Sequence, residues 1–109
     1  MRPHIIHNRL IPVRPFAAIN ICGLIFVRRG IRLSERELNH ECIHTLQQRE
    51  MLYIPFYVFY VAEWLVRLLI TRNAMEAYRT ISFEREAYDK QDNLRYGDSR
   101  TRYAWTKYV

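Results

Sequence analysis

Glycine, proline and cysteine are scarce in this chain of 109 residues, which holds three, four and two of them. So few breakers leave little room for long flexible linkers. Two cysteines, Cys22 and Cys42, are too few for a disulfide framework in a domain of this size. They read as buried, reduced thiols in a reducing compartment. Lysine is nearly missing, at Lys90 and Lys107 only, so arginine carries most of the positive charge behind the formal net charge of +6. That charge is scattered, with no basic run longer than Arg28-Arg29 and no stripe tied to a known recognition motif, which argues against a nucleic-acid partner. There is no repeat and no low-complexity segment. The first ten residues carry His4, His7, Asn8 and Arg9 where a secretory signal needs an unbroken apolar stretch, so no signal peptide and a cytoplasmic location are expected.

What is present describes a folded protein. Half of the residues are hydrophobic and 26% are charged, a balance that excludes intrinsic disorder. The length fits one domain over residues 1–109, small enough that a bound metal would add useful stability. Residues 5–32 read as extended, with Pro12 and Pro15 discouraging a helix and two β-prone runs, 17–21 and 24–27, flanking Cys22-Gly23 as a hairpin or bulged strand pair. Ser34 followed by Glu37 matches a capping box, with Leu33 and Leu38 placed for a hydrophobic staple, so a helix should run from Glu35 to about Glu50. Pro55 either kinks that helix or opens the next one. Asn73 followed by Glu76 marks another start. Residues 74–94 are helix formers, with a restart at Ser82 and an end at Gly97. The aromatic tail with Tyr103, Trp105 and Tyr108 should dock onto the domain. The expected class is α+β and helix-dominated, with a small N-terminal sheet or hairpin first.

The chemistry lies in His40-Glu41-Cys42-Ile43-His44. Histidines four residues apart project from one face of a helix, one turn above the other, and can coordinate a single metal ion. Glu41, about 100° round the helix, misses the metal and can serve as a general base. Leu38, Cys42 and Leu46 lie opposite, as an apolar side for the core. Gln47 shares the histidine face and reads either as a contact to substrate or to a ligand, or as a solvated glutamine.

A catalytic zinc needs a third protein ligand. With Glu84-Arg85-Glu86-Ala87 the chain resembles the gluzincin-type zinc metallopeptidases, in several families of which a later helix supplies that ligand in an E-x-x-A-D pattern. The resemblance covers about residues 34–90 and implies His40, His44 and Glu84 as ligands of one Zn2+ per chain, with Glu41 as base. Glu86 and Glu76 are the fallback ligands. Tyr88 stands where those families often have aspartate, which leaves the carboxylate partner of a zinc-binding histidine unassigned; Glu86 and Tyr88 are candidates for contacts to the ligands or to substrate. The resemblance also implies that the strand segment 17–27 lines a substrate cleft and that a tyrosine or histidine stabilises the oxyanion, with His4 and His7 among the choices.

The stretch from Met51 to Ile70 is the longest apolar segment. On a helical wheel Glu63 and Arg67 share a side and can pair, with Phe56 and Tyr60 beside them. It reads as a buried core helix or as a membrane-associated one, with its tyrosines, Trp64 and Arg72 suited to an interface. The expected function is a zinc-dependent hydrolase, most simply a peptidase acting on peptide or protein substrates; the alternative is a non-catalytic zinc-binding module, membrane-associated through residues 51–70.

Overall fold

The computed structural model describes residues 4–8 and 18–109. Pro12, Pro15 and Ala17, which belong to the expected extended region, lie outside the described residues. The architecture is α+β and helix-dominated, with a three-stranded N-terminal sheet followed by helices. Strands β2 (Ala18–Ile21) and β3 (Leu24–Arg28) form an antiparallel hairpin. Its two turn residues, Cys22 and Gly23, have φ of 53° and 86°, the handedness that matches strand twist in a two-residue loop. The third strand, β1 (His4–Asn8), pairs parallel to β3, giving the order β1-β3-β2. Among the described residues β2 is therefore an edge. His4 and His7 are exposed on β1. Cys22 is exposed at the hairpin tip and Cys42 is half-buried, both free, which corrects the expectation of buried thiols.

Helix α1 runs Glu35–Glu50 and begins at the expected capping box. The Ser34 hydroxyl accepts from the Glu37 amide and the Glu37 carboxylate accepts from the Ser34 amide. The hairpin is pinned to α1 by polar groups. Asn20 Nδ2 donates to the Glu41 carbonyl and to Thr45 Oγ1, at 2.7 and 2.6 Å. The Gly23 amide donates to Gln48 Oε1, and a Cβ on Gly23 would stand 3.5 Å from the Thr45 methyl. These bonds hold the edge strand beside α1.

The chain reverses sharply after α1. Leu52 sits at φ 58°, and the Ile54 amide bonds the Leu52 carbonyl across Tyr53, a γ-turn at φ 65° and ψ −67°. Pro55 does not kink a helix; it occupies the first turn of α2 (Ile54–Thr71), where its missing N–H costs nothing. Asn73 caps α3 (Ala74–Thr80) and α4 follows over Ser82–Lys90. Gly97 does not end that helix but lies within the short α5 (Tyr96–Ser99). Glu63 does not pair with Arg67: its carboxylate accepts from the Ser82 amide and hydroxyl, capping α4. A final 3-10 turn, Ala104–Tyr108, docks onto the small core of Met51, Phe56, Ile81 and Phe83, with Trp105 against Phe83.

Two faces depart from expectation. The buried side of α1 is the histidine side, with His40, Ile43, His44, Thr45, Gln47 and Gln48, while Leu38, Cys42 and Leu46 are only half-buried. And α2 is no core helix: Phe56 is its one buried residue.

Candidate metal centre

Helix periodicity places His40 and His44 on the same side of α1, against α4. Their Nε2 atoms lie 3.1 Å apart, and Glu84 Oε1, from the first turn of α4, lies 3.2 and 3.0 Å from them. All three residues are buried, with 3–6% exposure. This group could hold a metal ion. Donors about 2.0–2.1 Å from a tetrahedral zinc stand about 3.4 Å from one another, close to the separations found, so the three atoms converge on one point.

The remaining atoms of the ligands are already engaged. Glu84 Oε2 accepts from the Tyr60 hydroxyl at 2.6 Å, which leaves Oε1 for the centre. Gln47, fully buried, donates its amide hydrogens to the Phe83 carbonyl and to Glu86 Oε1, at 3.0 and 2.9 Å. Its oxygen therefore faces His44 Nδ1, at 2.8 Å. An Nδ1–H donor is thereby selected, and a metal would take Nε2 by displacing its proton. Gln91 does the same for His40 when its oxygen accepts from Nδ1 at 2.9 Å. With the amide reversed, that oxygen meets the Arg36 guanidinium and the amide nitrogen donates to His40 instead. A metal on His40 Nε2 would call for the first orientation, which turns the Gln91 amide nitrogen toward the Arg36 guanidinium.

Behind Gln47 stands a buried charge cluster. Glu86 accepts from Arg100 Nε and from the Tyr96 hydroxyl. Arg100 also grips Glu50 with two hydrogen bonds, at 3.0 and 2.7 Å. Glu86 is thus committed to an ion pair and is not a ligand, and Glu76 is exposed on α3, so both fallback assignments are corrected.

The electrostatics are those of a closed, polar centre. Burial opposes charge on Glu84, but His44 and His40 outweigh it and hold the carboxyl well below its ordinary range. Burial alone would lower His44; the Glu84 carboxylate and its hydrogen bond dominate and push it up to about 9. Burial raises Glu41, the direction that suits a proton acceptor near neutral pH.

Glu41 lines two cavities, of about 460 and 340 Å³. The larger is of mixed character and reaches His40, Arg36, Tyr88 and Arg79. Tyr88 also packs edge-on against His40, centroids 4.5 Å apart. The smaller holds His44 and Glu84 and is walled by β2 and by Phe56, Tyr57 and Tyr60 of α2. Ala18 and Tyr78 belong to both. The structure thus brings His40, His44 and Glu84 together with Glu41 on the walls of both adjoining cavities, sets Gln47 against His44 and Tyr88 against His40, and reaches Glu86 only through Gln47. Sequence reading missed Gln91 and Tyr60. Gln91 lies seven residues after Glu84, two turns along, and Tyr60 shares its helix side with Glu63; those periodicities were the available signals.

Compared with models of known families, with curated proteins and with solved structures, the chain matches none.

Proposed function

We propose that this chain is a zinc-dependent hydrolase, a metallopeptidase holding one Zn2+ through His40, His44 and Glu84. The observation that carries the reading is the convergence of two imidazole nitrogens and one carboxylate oxygen within 3.0–3.2 Å, with Glu41 on the wall of both adjoining cavities. Two nitrogens and one oxygen suit zinc better than magnesium or calcium, which prefer oxygen alone. A bound zinc would supply Lewis acidity, making water a stronger acid and polarising a carbonyl. Glu41 accepts the proton of the attacking water and returns it to the departing amine. Among the described residues no strand pairs with the outer edge of β2, and that edge could add an extended peptide by main-chain hydrogen bonds alongside the site.

A second reading keeps the metal without catalysis, as a zinc-binding module. The deep burial of the three ligands favours it, because structural sites are closed. Glu41→Gln separates the two. Elemental analysis of wild type should give about one zinc per chain, reduced in His40→Ala and in Glu84→Ala. With quenched-fluorescence peptide libraries as substrate, Glu41→Gln should keep its zinc and lose at least about 100-fold in activity. Zinc bound without any peptide cleavage would leave the module reading; wild type that takes up no zinc would sink both.

A further inference from the structure

Helix α2 is inside out. Its polar side chains face the protein: Tyr60 donates to Glu84, Glu63 caps Ser82 and Trp64 donates to the Ala74 carbonyl. Its outward stripe runs through Ile54, Val58, Val61, Leu65 and Leu69 and their i+1 neighbours Pro55, Phe59, Ala62, Val66 and Ile70, all exposed. The large hydrophobics among them are 49–79% exposed, and no residue of the stripe has a polar side chain. From Ile54 to Ile70 the stripe is about 24 Å long.

The composition selects the occupant. Protein interfaces keep roughly 35–45% polar area and a polar rim, whereas this face has no polar side chain and suits hydrocarbon. The surroundings select the orientation. Glu76 and Arg79 on α3, which packs against α2, and Arg85 and Asp89 on α4 are exposed, so lipid cannot surround the helix and only the stripe can be immersed. The net charge of +6 and the exposed Arg49 and Arg72 that bracket α2 in the chain complement anionic headgroups.

We infer that α2 is an in-plane membrane anchor, its outward stripe immersed in the acyl boundary of an anionic bilayer. The inference rests on α2 and the charges around it and stands whether or not the neighbouring site hydrolyses anything.

The test is flotation of the full chain with vesicles of phosphatidylcholine containing about 30% phosphatidylglycerol. Wild type should float with these vesicles and less with phosphatidylcholine alone. The double substitution Val58→Glu with Leu65→Glu should weaken binding roughly tenfold or more. Both positions are exposed in the folded protein, and unchanged circular dichroism checks the variant; Leu69→Glu serves as a second variant at the most exposed position of the stripe. Wild type left in the soluble fraction would overturn the inference. So would variants that float as well as wild type. A lipid-free dimer in light scattering that the double variant returns to monomer would assign the face to a second copy instead.

Discussion

Helices α1 and α2 are consecutive, yet they bury opposite kinds of surface. The buried side of α1 holds two histidines, two glutamines and a threonine beside one isoleucine, whereas α2, with few charges in eighteen residues, buries only Phe56. Hydropathy alone would exchange their places. The difference lies in whether polar groups find partners. An unsatisfied buried polar group costs about 1–3 kcal/mol. On α1 each is answered: His44 by Gln47, His40 by Gln91, Gln48 by the hairpin turn, and Gln47 by Glu86. On α2 the inward side does the answering, with Tyr60 for Glu84 and Glu63 for Ser82, and apolar residues are left outside. The interior is organised around a polar centre, and both helices turn partnered polar side chains toward it.

Breaking the charge cluster at the rear of that centre should have the largest effect on stability. Arg100→Met leaves the Glu50 and Glu86 carboxylates, whose side chains are 6% and 0% exposed, buried without their cation. A loss of about 3–5 kcal/mol in urea denaturation is expected. A loss below about 1 kcal/mol would mean that the pair behaves as a solvated surface bridge. Gln47→Leu is gentler and more selective. It keeps the apolar volume near His44 but removes the acceptor that fixes its tautomer, so zinc affinity measured by chelator competition should fall about 10–100-fold. Unchanged affinity would detach the amide from the centre.

The legible parts of the molecule depend on neighbours within one helical turn. Ser34 and Glu37 set the start of α1, Asn73 set that of α3, and Pro55 stands in the first turn of α2. The i,i+4 spacing of His40 and His44 put both rings at one point, and Glu84 was reached through the resemblance. What stayed hidden depends on distant partners. Arg100 meets Glu50 fifty positions away, and Gln91 meets His40 fifty-one away; no local pattern announces either. Gly97 looked like a helix end because glycine often is one, but α4 had already stopped at Lys90. The inverted faces of α1 and α2 had the same cause. A helical wheel sorts residues into sides, and only tertiary partners decide which side is inward.

That point can be tested by the reverse of the Gln47 exchange. Leu69→Gln puts the buried residue type of α1 onto the exposed stripe of α2, where the leucine is 79% exposed. If α2 were a core helix, removing a leucine there would cost about 2–5 kcal/mol. On an outward stripe the substitution removes little buried area, and the change in urea stability should stay within about 0.5 kcal/mol. Flotation with anionic vesicles should fall at the same time, because the amide must be desolvated only when the stripe enters lipid. Lost stability in plain buffer would place Leu69 inside a packed interface. Unchanged stability with weakened vesicle binding would show that the apolar side of α2 is matched to a surface the folded chain meets from outside.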